Sequence, residues 1–315
     1  MTIFKLLKDT FVSWNKNDPW AKSAIIAYYA LFSLPSLLII SVHLAGVFFG
    51  KKAVEGRITE QFEGLIGSES AELIQSIIIN SSISSSSTLY VIIGVGVLIF
   101  GASGVFIQLQ KALNNIWGVR VVDRSILHTV IDRAQAFGMV LILGFLMLLS
   151  LIINSLIGAF ADLIGEYFPV LSSGFIKLLN FLFSQAIITV LFALIFTILP
   201  DVKVRLRTNL IGAFMTTLLF LAGKYLIGFY FSKSDPASAY GAAGSVVLIL
   251  LWLYYSCLIL FFGAEFTVNW ALNRKIKIEP NESATLAYRL EIEELRKFKE
   301  MAEEKKRKIS ALKDN

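Results

Sequence analysis

Apolar runs of about twenty residues alternate with short charged segments along this chain. One such run, wound as a helix, crosses roughly 30 Å of hydrocarbon. Six runs approach or exceed that length, near 24–49, 89–107, 134–159, 176–199, 209–231 and 243–268. They predict an all-α polytopic membrane protein with six transmembrane helices. Shorter amphipathic patterns add peripheral helices. In "FKLLKDTFVSW", Phe4, Leu7, Phe11 and Trp14 recur at spacings of three and four, while Lys5, Lys8 and Asp9 fall elsewhere on the wheel. That helix either lies on the inner leaflet or packs on the protein's own loops. Asp18 reads as an N-cap, with Pro19 at the first helical position. Residues 51–79 read as two amphipathic helices broken at Gly67-Ser68, and "SSISSSST" (81–88) as a flexible tether.

Charge sets the expected orientation. Lys and Arg outside the runs divide 23 to 4 between the two sides, with the N-terminus and the tail on the rich side. The positive-inside rule then places both termini in the cytoplasm. The expected organisation is a cytoplasmic interfacial helix (1–23), a six-span domain (24–268) with an external insertion at 50–88, and a charged cytoplasmic helical tail (269–315). The N-terminal residues lack the pattern of a signal peptide, so the first run is expected to remain as a span.

Composition agrees. Apolar residues make up 56% of the chain, against about 45–50% in soluble domains. The net charge of +6 reports orientation here and carries no case for nucleic acid. Cys257 is the single cysteine, which excludes an internal disulfide and any CxxC metal site. It reads as a small packing residue.

Polar residues inside apolar runs are candidate sites by default. Counting rise along each run puts Lys224, Gln185, Tyr254 and Tyr255 at one level in the outer half of the bilayer. Ser41 and His43 lie slightly higher, and Asn154 near the outer end of its run. Lys224 has two readings. It snorkels to the outer headgroups, or it sits in the bundle with Gln185 and a tyrosine to receive an anion. His43 reads more simply as a hydrogen-bonded core histidine. Glu265 lies near the cytoplasmic end of the last run, in the half opposite Lys224. Its expected partners are Arg133, Arg120, Arg124, Lys203, Arg205 or Arg207. With Arg133 and Asp201 it forms a candidate cytoplasmic set, either a structural ion pair or a gate. Gly94, Gly96, Gly101 and Gly104 in the second run predict close helix approach, and Pro35 a kink in the first.

Several stretches together carry a resemblance: "AYYALFSLPSLLII" (27–40), "LQKALNNIWGV" (109–119), "ILPD" (198–201) and "YGAAGSVVLILLWLYYSCLILFFGAE" (240–265). Over roughly residues 20–270 the chain resembles the YihY/BrkB family of bacterial inner-membrane proteins, formerly labelled ribonuclease BN. The resemblance implies six helices and cytoplasmic termini. Members have been linked to serum resistance, transport and envelope lipid traffic. The motif positions carried over are Asn114, Trp117, Asp201, Tyr240, Gly241, Trp252 and Glu265.

RNA hydrolysis needs an acid–base pair or a metal-holding carboxylate cluster open to solvent. His43 is deep in a run, His128 is alone, and Asp123, Asp132 and Asp201 each have arginine neighbours. The sequence therefore offers no catalytic residue, metal site or cofactor motif, and it argues against ribonuclease activity. Transport or lateral handling of an anionic amphiphile, such as an envelope lipid precursor, fits the outer polar layer best. Ion transport is a second reading, weakened by the lack of acid chains in the runs. A non-catalytic scaffold that docks an envelope protein through 51–88 is a third. Expected partners are membrane lipids, that envelope protein and a second copy of the chain. No ATP-binding motif is present, so energy would come from a gradient or a partner.

Overall fold

The computed structural model describes residues 3–49, 68–83, 88–122, 169–234, 243–281 and 284–289, and the single positions 56, 59, 138, 240 and 292. The third apolar run, Arg124, His128, Arg133, Gly241 and the tail beyond 292 lie outside the described residues. In chain order the elements are α1 (Ile3–Lys16), α2 (Pro19–Phe49), α3 (Ser68–Ile83), α4 (Thr88–Ile116), β1 (Val119–Val121) and α5 (Pro169–Ile198). They continue with β2 (Val202–Lys203), α6 (Leu206–Ser234), α7 (Gly244–Asn273), β3 (Glu279–Pro280) and β4 (Ala284–Leu286).

The protein is mostly helical, as the apolar runs predict. Among the described residues, Leu178–Ile198, Leu206–Tyr230 and Gly244–Asn273 are long and apolar enough to cross a membrane. The helices overrun the apolar stretches that nucleate them. α4 continues nine residues past its run, to Ile116, so "LQKALNNI" is helix rather than loop. α2 starts at Pro19 and passes unbroken through Pro35 to Phe49.

Close approach is built on small residues. α6 and α7 run antiparallel, with a reciprocal contact where the first turns of α6 meet the last turns of α7. Thr267 Oγ lies where a side chain on Gly212 would stand, and Thr216 Oγ lies where one on Gly263 would stand. Each hydroxyl donates back to the carbonyl four residues earlier, Thr216 to Gly212 O and Thr267 to Gly263 O, both at 2.7 Å. Neither polar atom is thereby left unpaired in the apolar interior. Nearer the other end, the Tyr255 hydroxyl rests against Gly223. α2 and α4 use the same device. Gly101 faces Ser33, and Gly104 faces the Tyr29 ring. The close approach expected of the second run holds at these two glycines.

Two elements depart from expectation. Residues 68–83 form a helix, but α3 is not peripheral. Ala71, Ile74 and Ile78, at spacings of three and four, are buried. Ile74 and Ile78 form one core with Leu38 of α2 and Ile249 of α7, bordered by Trp252. The helix also runs to Ile83, into the segment expected to be a tether. The tail is not helical throughout. After α7 the chain forms two short antiparallel pairings, Val202–Lys203 with Glu279–Pro280 and Val119–Val121 with Ala284–Leu286. Ile276, Ile278 and Leu286 pack against the main core, and their burial pulls this part of the tail back onto the connections that follow α4 and α5.

Gly263→Ala should press a methyl onto Thr216 and destabilise the protein by about 1–3 kcal/mol, read as a lower thermal midpoint in detergent. Gly228→Ala is the control. Nothing lies within 4 Å of its Cβ position, so the midpoint should hold or rise slightly.

Candidate functional site

Two groups of polar residues lie at different levels of the bundle. The first gathers at the end that carries α1. This helix buries Leu6, Thr10 and Trp14, and its indole N–H donates to Leu258 O of α7 at 3.2 Å. The Trp14 ring lies 6.0 Å from Phe262 and 5.0 Å from Trp20. Phe4 and Phe11, 77% and 56% exposed, leave a second apolar stripe uncovered beside Lys8. The expected face is thus split, with Trp14 on the bundle and the two phenylalanines facing out.

α1 ends in a sharp corner. Asp18 adopts φ +49°, a left-handed conformation that Asp tolerates better than most residues. Its carboxylate faces the Ala21 N–H at 3.5 Å, a long version of the expected cap. The corner aims Asn17 at Glu265, whose carboxylate accepts a hydrogen bond from Asn17 Nδ2. Glu265 is 2% exposed. The Lys22 ammonium donates to the Asn17 carbonyl. Burial holds its pKa below the ordinary lysine value, against the raising pull of Asp18 and Glu265. Asn115 donates to Asn17 Oδ1 at 3.3 Å, which joins α4 to the same corner.

Next to Asn115, Asn114 makes a two-sided contact with Asp201. Its Nδ2 donates to Asp201 Oδ2 at 2.6 Å, and its Oδ1 accepts from Asp201 N at 2.7 Å. Gln110, one turn earlier, adds 3.2 Å to the same oxygen. Asp201 O accepts from Asn281 N at 2.9 Å, so the knot also holds the tail. Glu265 and Asp201 therefore stand in neighbouring knots, linked through the Asn114–Asn115 pair. The bases proposed for Glu265 include Arg133, outside the described residues. Within them its nearest charge is Lys22, which the sequence reading missed. Asn17 was missed as well. Only its place in "NDP", at a break between two helices, hinted that its side chain was free to reach across.

The second group lies at the level of Lys224. Phe192 of α5 is 5.9 Å from Phe220 of α6, and Phe220 is 6.4 Å from Trp252 of α7. Lys224 follows Phe220 by one turn and shares its face, between α5 and α7. Gln185 precedes Phe192 by two turns on α5. Tyr255, whose hydroxyl rests on Gly223, places its polar atom one residue from Lys224 along α6. All three are half-buried, and none hydrogen-bonds to another. Tyr254 is half-buried at the same level. Lys224 matches Tyr255 in register, ten residues from Glu265 and so about 15 Å along the axis. His43 falls within α2, but its side chain is outside the described ones. Tyr240 is exposed, and Trp117 is buried in the main core.

A family model described as "Virulence factor BrkB" matches residues 10–286. The chain belongs to the BrkB family. The match reaches the end of β4, beyond the limit near 270 that the motifs suggested. Similar proteins include several named UPF0761 membrane proteins. One from Tolumonas auensis is 31% identical over 190 residues, 59% of this chain and 60% of that protein. One from Pseudoalteromonas atlantica is 27% identical over 244 residues, 77% and 78% of the two chains. One from Mannheimia succiniciproducens is 25% identical over 288 residues, 88% and 93%. No solved structure matches. This BrkB-family chain is a membrane protein, and the names of its relatives state no substrate.

Asn114→Ala in this BrkB-family protein removes both halves of the Asp201 contact. Bonds to a charged group contribute about 1.5–3 kcal/mol each, so a loss of about 2–4 kcal/mol is expected in a detergent unfolding titration. Asn115→Ala, which loses one long bond at an exposed position, should cost well under half of that.

Proposed function

We propose that this protein is a plasma-membrane transporter or lateral handler of an anionic amphiphile, such as an envelope lipid or its precursor. It spans the inner membrane six times with both termini in the cytoplasm. The supporting observation is the layer at Lys224. A lysine stands half-buried between three apolar helices, beside an aromatic wall, with Gln185 and the Tyr255 hydroxyl at its level and no bond among the three. A cation so placed suits a phosphate, and the aromatic and aliphatic walls suit acyl chains. The 23-to-4 division of basic residues supports the orientation. The exposed Phe4–Phe11 stripe beside Lys8 suits the inner headgroup region. No enzymatic step belongs to this reading, and no cofactor or nucleic acid.

The purified protein in mild detergent, beside Lys224→Gln, tests it by mass spectrometry of retained small molecules. An anionic amphiphile should be enriched in the parent and fall at least tenfold in the variant, about 1.4 kcal/mol of binding. Equal retention by both would return Lys224 to snorkelling. Nothing above background in either would favour a scaffold that captures an envelope protein through residues 51–88.

A further inference from the structure

Glu265 is a carboxylate in the body of a helix long and apolar enough to cross a membrane, and it is 2% exposed. Its hydrogen-bond donor is the Asn17 amide. No ion pair reaches it from any described residue. The ion pair formed between described residues joins Lys277 to Glu279, at 2.7 Å in the tail. The charged group whose field acts on Glu265 is Lys22, on α2. Yet the Lys22 ammonium gives its bond to the Asn17 main-chain carbonyl. The other described elements around the site bring no charge to the carboxylate. α4 contributes Asn115 to the far side of Asn17. α6 meets α7 through Gly212 and Thr216. α7 itself adds Asn269, bonded to Glu265 O at 3.0 Å. Asp18, in the corner, is exposed.

An ionised carboxylate held this way lacks the pairing that buried charges need, and several kcal/mol oppose it. A proton on the carboxyl removes that cost. The cost also vanishes if the corner moves and lets in water. The corner is suited to move. It is two residues long between two helices, Asn17 and Asp18, it turns through Asp18 at φ +49°, and Asn17 is its hydrogen-bond contact with α7.

We infer that Glu265 is a proton-binding site, loaded while Asn17 is docked on α7 and emptied when the corner swings away. One proton leaves the carboxyl for water at that face, and the carboxylate left behind turns to the Lys22 ammonium. Because the docked arrangement binds the extra proton, it gains as pH falls and loses as pH rises. A single carboxylate does not make a proton path. It makes a switch, by which a proton gradient can bias one conformation of the bundle. The site lies about 15 Å from Lys224 and stands independently of what Lys224 binds.

The test is infrared titration of the full-length protein in lipid nanodiscs. A protonated-carboxyl band should be present at neutral pH, fade as pH rises, and be missing from Glu265→Gln. In Lys22→Met, where a nearby positive charge is gone, its midpoint should move up by about one pH unit. Spin labels at Lys16→Cys and Asn273→Cys, in a Cys257→Ala background, should separate as the band fades. In Glu265→Gln they should stay close at every pH. A wild type with no titrating band, a band that survives Glu265→Gln, or a label distance indifferent to pH would each overturn the inference. Lys224→Gln should leave both titrations intact, so failure here and failure of the lipid reading are told apart.

Discussion

Backbone contact between α6 and α7 is the constraint on which the described bundle depends. Lipid tails are as apolar as leucine, so burying leucine gives two membrane helices little reason to associate. What holds them is close packing, and here it is reciprocal. Gly212 and Gly263 each make room for a threonine from the other helix, and each threonine returns its proton to its own glycine's carbonyl. With that face of α7 fixed, its other faces are aimed. Ile249 turns to α3 and α2, and Glu265 turns to the corner after α1.

A second theme is the use of amides where the apolar runs end. Asn17, Asn114 and Asn115 each have a donor and an acceptor, and the structure uses both on Asn17 and Asn114. An amide bridges two elements without bringing a charge into a poorly solvated region. The contacts tie α1, α4, the connection after α5 and the start of the tail together, around two carboxylates. Held this way, the knots at Glu265 and Asp201 differ in kind. Asp201 is gripped by side chain and main chain alike, which suits an anchor. Glu265 is held by one amide on a corner, which suits a part that lets go.

The sequence made some of this legible and hid the rest for physical reasons. Hydropathy is a signal summed over some twenty residues, so the helices of α5, α6 and α7 stood out. Gly101 and Gly104 announced close packing because a glycine in a membrane helix has few other uses. The polar level at Lys224, Gln185 and Tyr255 could be counted from helical rise alone. The partner of Glu265 could not. Asn17 is 248 residues away, and nothing local marks an asparagine as aimed at a distant acid. Nor could the two- and three-residue strand pairings, which are too short to show a period of two. α3 was visible as a helix with an apolar stripe, but a stripe does not say whether lipid or protein covers it. The proposed phosphate contact of Lys224 is argued from its placement between α5 and α7.

Solid-state NMR of lysine-labelled protein in native lipid, read as phosphorus-to-nitrogen contact, tests that role most directly. A phosphorus contact to one lysine side chain that resists exchange with bulk lipid, and that disappears in Lys224→Gln, is the expected result. Phosphorus contacts that all exchange freely with bulk lipid, unchanged in Lys224→Gln, would contradict it.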